Sequence, residues 1–410
     1  MKPGRDADVI IVGGGPAGVA AGLELRRQGV ERVMLLDREA DLGGATRHCA
    51  HSPFGMLEFG RVYIGGAYGR RLTREAVGAG LDLRMRHSVV ALAGEGAVEV
   101  SHPGGVEQLR ARRVLLATGA REKTRAARHL SGDRPIGVIT TGTLQAYVAF
   151  HGLMPFRRPL ILGSELVSMS ALTTCLSHGA RPVALAEPGP RLLARAPFCW
   201  APRLAGVPVF TGARVVDIKG RGRVEAVVLK LADGSLRSFD CDGLLLSGQF
   251  VPEAALSLTA GALLAPGSGA PQIDQFGRTE DPWRFAAGNL LRPIETGGWA
   301  FREGRAVASA VAADLGRAAE TAPPVVVTFD DPVKLVVPSL MRPNPDNRGR
   351  ALKQFQLRFT RAAKGKLSLH LDGREAWSKR GQWLPERRVL VPMPAATATA
   401  GAIAFRFDAD

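Results

Sequence analysis

The chain is poor in the groups that several chemistries require. It has four cysteines in 410 residues, at 49, 175, 199 and 241. None forms a CxxC pair, which excludes an internal dithiol shuttle. No Cys/His cluster has zinc spacing, so no metal site is expected. No apolar run approaches the roughly 20 residues that a helix needs to cross a bilayer, so no integral membrane segment is expected. Residues 1–8 are polar, and Val9–Val12 is too short for a secretory core, which makes the cytoplasm the expected compartment. Acids are also in deficit, with 38 Asp and Glu against 54 Lys and Arg, a net charge of +16. The excess is scattered and mostly arginine, with no basic amphipathic helix or aromatic–basic stripe. Nucleic acid is therefore not an expected partner. A positive field still favours anionic cofactors and substrates, or an acidic partner protein.

What is present starts at Val9. An apolar strand, Val9-Ile10-Ile11-Val12, feeds Gly13-Gly14-Gly15-Pro16-Ala17-Gly18, a helical run to about Gly29, and a second strand, Val33–Asp37. In this order Gly13 allows the tight turn, Gly15 lets a pyrophosphate approach the backbone, and Gly18 lets helix and sheet pack closely. The helix N-terminus then faces the phosphates. Asp37 ends the second strand, where a carboxylate can bind an adenosine ribose.

A weaker copy follows. Leu160–Leu162 is a strand, Gly163-Ser164-Glu165-Leu166-Val167-Ser168 is the turn, and Pro182–Glu187 is the next strand, ending in an acid. Glu165 stands where backbone should approach phosphate, and Ser168 replaces the third glycine. A carboxylate beside a pyrophosphate is repulsive unless it points away. Two readings stay open: nicotinamide binding, with Glu187 favouring NADH over NADPH, or a retained nucleotide-type domain used as scaffold or docking surface.

The remaining segments suggest how these units are arranged. Val89–Leu92 and Ala97–Val100 read as a small hairpin, and Arg113–Leu116 as a buried parallel strand entering the Ala117-Thr118-Gly119 turn. Gly243–Gly248 is expected to return the chain to the first domain. The Ala287-Gly288-Asn289 segment follows, and then Gly297-Gly298-Trp299, which opens a helix to about Leu315. The expected domains are 1–121 and 243–320, together one split unit, with 122–242 inserted. Residues 321–332, with three prolines, read as a linker. Residues 325–410 read as a small all-β domain, with 15 Lys/Arg against 8 Asp/Glu. Trp377 and Trp383 read as core or interface residues of this domain, with core the favoured reading.

These motifs resemble the two-dinucleotide FAD/NAD(P)-dependent oxidoreductases related to the glutathione-reductase fold, over roughly residues 7–318. The fold class implied is α/β, two dinucleotide-binding domains with a small C-terminal β-rich domain. Gly43–Cys49, Thr140-Thr141-Gly142 with Leu144-Gln145, and Gly163–Ser168 further resemble the alpha subunits of opine oxidases, hydrogen cyanide synthases and dye-linked proline dehydrogenases. They also resemble flavoproteins associated with anaerobic glycerol-3-phosphate dehydrogenase-like proteins. The resemblance implies FAD held by Gly13, Gly15, Pro16, Ala17, Gly18 and Asp37, with Arg38, Gly44, Thr46 and Val90 alongside. It adds Ala117, Thr118, Gly119, Gly288 and Asn289, the last replacing the family's usual aspartate. Gly163, Ser164, Glu165 and Glu187 would meet NAD(P)H, if that cofactor is used.

The partners implied are a second FAD-containing dehydrogenase or oxidase and, in some members, a small iron–sulfur component. No cysteine follows Cys241 in these 410 residues, so no cysteine-rich iron–sulfur tail is expected within them. Gly297, Gly298 and Trp299 are expected at the flavin pyrimidine edge, where a helix N-terminus meets negative charge. A plain helix cap is the alternative. Glu295 would orient a substrate or nicotinamide amide. Arg47 would steady flavin or its phosphate, and His48 would donate to a flavin carbonyl or move a proton. Cys49 is the third member of this catalytic set, although a buried free thiol is the simpler reading. The expected function is an FAD-dependent oxidoreductase subunit exchanging electrons with NAD(P)H, a small amino or imino acid or opine-like substrate, or a partner flavoprotein. The alternative is an assembly subunit whose FAD is structural. Removing residues 325–410 is expected to leave FAD bound to the first domain but to weaken assembly with the partner.

Overall fold

The computed structural model describes residues 5–293, 295–316, 323–344 and 349–410. The first domain is built on a parallel sheet in the order Asp82–Met85, Val33–Asp37, Ala7–Val12, Gly105–Leu116 and Arg284–Ala286. The long strand Gly105–Leu116 does two jobs. Its second half pairs in parallel with Ala7–Val12. Its first half pairs antiparallel with Ala97–His102, which continues to Ser88–Leu92 as a three-stranded meander.

Side chains alternate across the central strands, as a sheet buried on both faces requires. Val9, Ile11, Leu35 and Leu115 pack against the helices Pro16–Arg27 and Gly297–Asp314. Ile10, Val12, Leu36 and Val114 face the other way. Their core continues through Ala254, Ile273 and Leu290 into Val327, Phe355 and Phe405 of the C-terminal region. The tail therefore shares a core with the first domain, which argues against a separable module. Cutting it away would expose a large apolar face to water.

The tail itself is two packed sheets. One runs Leu340–Met341, Val325–Phe329, Ile403–Ala409, Ala363–Leu371 and Arg374–Trp383, and the other Val333–Val337, Gln354–Phe359 and Val389–Pro392. Asp372 and Gly373 both take positive φ, the tight hairpin conformation that their sequence favours. Trp383 is buried and stacks on Phe359, while Trp377 is partly buried. Residues 321 and 322 of the expected linker lie outside the described residues. The rest is not all linker, since Val325–Phe329 is a strand inside the larger sheet.

The inserted domain carries a second parallel sheet, ordered Val209–Thr211, Ala184–Glu187, Pro159–Leu162, Gly243–Leu246 and Val138–Thr140. Gly243–Leu246 pairs with strands on both sides here, so it belongs to the inserted domain, and the expected boundary before residue 243 moves past it. A fully apolar strand reads alike in either sheet, and only pairing tells them apart. The chain crosses between domains on a two-stranded ribbon, Ala120–Glu122 against Phe250–Pro252.

A candidate dinucleotide and flavin site

The first turn is shaped by close backbone approaches. Gly13 has φ +108°, and a Cβ there would lie 2.5 Å from the Ala117 carbonyl oxygen. A Cβ on Gly18 would lie 1.8 Å from the Gly13 carbonyl oxygen. Both glycines are demanded by the protein's own backbone. Gly15 differs. Its φ of −73° suits any residue, and a Cβ there would meet only Gly44 Cα, at 4.0 Å. Nothing among the described residues requires glycine at 15, so the open space beside it is room for something other than protein. This cradle opens the 12-residue helix Pro16–Arg27, whose first N–H groups receive no side-chain cap among the described residues. That combination fits a pyrophosphate.

Other elements close in on the same place. Gly44–His48 forms a 3₁₀ turn, and a Cβ on Gly44 would come within 3.0 Å of Gly15 Cα. Helix Gly297–Asp314 lies along the first helix, with Gly304 and Gly288 both packed against Ala17. Its N-terminus, capped by the Thr296 hydroxyl, stands near Pro16 and Phe54. Two positive helix ends therefore converge, which favours an anionic cofactor. Asp37 is buried, and accepts from Gly14 N–H at 2.6 Å and Glu39 N–H at 2.8 Å. Thr46 is also buried and donates to Gly43 O. Arg38 points outward beside Glu39, and Val90 is 48% exposed on its strand. Thr118 ties the turn to the crossover ribbon by donating to Glu253 O.

The expected catalytic residues divide. Arg47 pairs with Glu39 at 3.0 Å and lies over the Phe150 ring, and its buried Nε has no partner among the described residues. His48 packs edge-on to Phe150, and burial pushes its pKa down to about 4, so the imidazole is neutral near pH 7. A neutral ring can accept a proton without first losing one. Cys49 is pushed up by burial to about 12 and stays a thiol, 3.9 Å from Gln145 Oε1. It is not a thiolate nucleophile.

Glu295 is a correction. Its carboxylate accepts from Arg358 and Arg388, the latter at 2.5 Å, with Arg292 3.9 Å away. Arg358 and Arg388 come from the tail, so Glu295 fastens the tail to the first domain and is not free to orient a substrate. Two neighbours are drawn into the same clamp. The Asn289 side chain makes a reciprocal pair with the Glu295 backbone, which uses one of its two amide hydrogens and one of its two oxygen lone pairs. The Trp299 ring lies 3.6 Å from the Arg388 guanidinium carbon. Three arginines separated in sequence gave no signal of this junction.

In the second domain, Gly163 repeats Gly13, with φ +112° and a Cβ position 2.4 Å from Ser247 O. Glu165 has the backbone of Gly15, at φ −64°, ψ 170°. Its side chain reaches across to the opposite turn, where Oε1 accepts Gln249 N–H at 2.8 Å, and Oε2 is buried without a partner among the described residues. Ser164 donates to Glu187, which also accepts Gly189 N–H at 2.7 Å. Sequence reasoning missed Glu122, a buried acid that accepts from Gly142 and Gly248 N–H, and Arg128, which donates to Ser247 and Gly248 carbonyls. Neither lies in a recognisable motif.

Fold and site together define a two-domain dinucleotide-binding flavoprotein. The chain belongs to the pyridine nucleotide-disulphide oxidoreductase family, which matches residues 7–312. It is an FAD-dependent oxidoreductase, in a family whose members bind FAD and NAD(P). Among curated proteins it is 25% identical over 337 residues to the opine oxidase A subunit of Rhizobium meliloti (strain 1021), covering 76% of this chain and 72% of that one. It is 29% identical over 264 residues to the alpha subunit of sarcosine oxidase from Corynebacterium sp. (strain P-1), covering 60% of this chain but 26% of that much longer protein. It is 26% identical to the HcnB subunit of hydrogen cyanide synthase from Pseudomonas aeruginosa, covering 62% of this chain and 59% of that one. Thioredoxin reductase of T. acidophilum shares the fold, with a TM-score of 0.63 at 22% identity over 77% of this chain and all of that one. Among the described residues no helix is long and apolar enough to cross a membrane.

Proposed function

We propose that the chain is the FAD-carrying subunit of a multi-component oxidoreductase, passing electrons between its flavin and a small amino or imino acid, an opine-like compound or a partner flavoprotein. Bound in the first domain, FAD supplies reversible redox chemistry, and the protein supplies orientation and charge. Gly13–Gly18, Gly44 and Ala117–Gly119 would hold it, with the Gly297 helix end nearby. His48 is the group able to move a proton beside it.

One observation carries the partner reading. Met56, Leu57, Val62 and Ile64 border the site and are 57%, 47%, 53% and 57% exposed. Leu57 lies against Gly298, where a Cβ would be 3.1 Å from Leu57 Cβ. An exposed apolar rim beside a cofactor site is suited to cover by another protein. The named relatives that are oxidase or synthase subunits support the same reading. So does the lack of a CxxC dithiol that would carry electrons internally.

The assembly-subunit reading has one observation in its favour, the commitment of Glu295 to arginines. A single experiment separates the two. The tagged chain is recovered from its native cell, its visible spectrum is recorded, and proline or glycine is titrated anaerobically with and without the co-purified protein. Bleaching of the flavin by substrate through a recovered partner supports electron transfer. A recovered partner that turns over while this chain's flavin stays oxidised supports assembly. A lone chain that oxidises a small molecule at full rate defeats the partner reading.

A further inference from the structure

The two glycine turns share a scaffold, which makes their one major difference informative. Gly13 touches Ala117, and Gly163 touches Ser247, through the same positive-φ approach of one strand end to the next. Gly15 and Glu165 occupy the same helix-entry position with the same extended backbone. Beside Gly15 the space is open. At Glu165 a carboxylate spans the gap from the turn after Pro159–Leu162 to the turn after Gly243–Leu246. Those two strands are neighbours in the sheet, and strand order reverses between them. The gap is thus the topological switch point, where a dinucleotide lies in open α/β sheets.

The carboxylate is built in. Oε1 accepts Gln249 N–H, and Gly248 has room only for hydrogen, since a Cβ there would lie 2.4 Å from Oε1. Around it stand Glu122, the Arg128 guanidinium and the tail residues Lys334 and Glu386, which pair with each other. Arg128 spends its N–H groups on the carbonyls of Lys123, Ser247 and Gly248. The turn is also covered from its other side. Leu193 N–H donates to Ser164 Oγ, and Arg387 of the tail donates to Leu193 O. An incoming pyrophosphate would meet the volume of Glu165 and, wherever the acid is ionised, its charge as well, and the two cations nearest to it are already engaged.

We propose that Glu165 takes the place of a dinucleotide phosphate and closes the second domain to NADH and NADPH. The inference concerns the second domain alone and stands whichever partner or substrate serves the flavin.

The test compares the full-length, FAD-loaded wild type with E165G and E165S. Glycine restores the first domain's turn, and serine keeps a good helix N-cap while removing bulk and charge. Binding of NADH and NADPH is measured by calorimetry, and FAD content reports correct folding of each variant. The wild type is expected to show no saturable binding up to roughly 1 mM, the top of the usual range for substrates. Both variants should bind at least about tenfold more tightly than the wild type. Saturable micromolar binding by the wild type would overturn the proposal. So would folded, flavin-loaded variants that bind no better than the wild type, since another feature would then close the site.

Discussion

The two dinucleotide-type domains solve the same backbone problem and use the result differently. In the first, glycine is kept at a position where the backbone has no need of it, and the space beside it stays empty of protein. In the second, the matching position carries a buried acid that fills the space. Even the strand-end acids differ in what they hold. Asp37 accepts backbone N–H groups from Gly14 and Glu39, whereas Glu187 is engaged by the Ser164 hydroxyl and Gly189 N–H. The first turn leaves room for a ligand, and the second fills the matching room with its own side chain. A glycine pattern therefore carries two separate messages, one about chain packing and one about cofactor contact. Only Gly15 speaks to the second.

The largest effect that would break this comparison is at Gly15. A valine there meets no strained φ and no protein atom closer than 4.0 Å at its Cβ, so the chain should still fold. The branched side chain would stand in the cradle. G15V should purify almost free of flavin, read as the ratio of absorbance in the visible flavin band to that of the protein in the ultraviolet, with an unchanged far-ultraviolet circular dichroism spectrum. Stoichiometric FAD in folded G15V would remove the distinction between the two turns.

Much of this was legible in the sequence, and the gaps have physical causes. The order strand, glycine turn, helix, strand, acid is local, so both nucleotide units could be read directly. The β-rich character of residues 325–410 was legible too, and the strands Gln354–Phe359, Ala363–Leu371 and Ile403–Ala409 bear it out. What depends on distant partners was not legible. Gly243–Leu246 is apolar throughout, and its sheet membership is decided by Pro159–Leu162 and Val138–Thr140. Glu295 sits beside a helix start and reads as a site residue. Its role is set by Arg358 and Arg388, which lie far along the chain in the tail. The departure at Glu165 was visible, but the direction of its side chain was not.

The next effect in size tests the claim that the tail is part of the first domain. Glu295 and Arg358 side chains are 4% and 3% exposed. Removing the acid strands Arg358 and leaves Arg292 with one anionic partner fewer. Breaking a buried pair from one side costs about 3–5 kcal/mol. E295A should lower unfolding stability by about that much in urea titrations and move the tail and FAD domain together in a single transition. Two separated transitions, with the flavin domain unaffected, would show the tail to be an independent unit after all.

The smallest effect, and the one most particular to the second turn, is a pH dependence. Burial raises Glu165 from 4.5 to about 7, opposed by Gln249 N–H and Lys334 and reinforced by Glu386 and Glu122. The folded state therefore holds a proton that the unfolded chain releases between about pH 4.5 and pH 7. Over that window the unfolded state binds fewer protons, so stability falls as pH rises and levels off above the folded pKa. A shift of this size corresponds to about 3 kcal/mol at most. Glutamine keeps the shape and can still accept from Gln249 N–H, but it never ionises. E165Q and wild type should thus have similar stability at about pH 4.5, and E165Q should gain steadily to about 3 kcal/mol above about pH 7. Thermal unfolding of the two proteins across roughly pH 4.5–8.5 measures the difference directly, because all other titrating groups are common to both. If the wild type instead gains on E165Q as pH rises, the carboxylate is held in its charged form by Arg128, Lys334 and Gln249 N–H. The second turn would then be a charge-balanced site rather than a space filled by a reluctant acid.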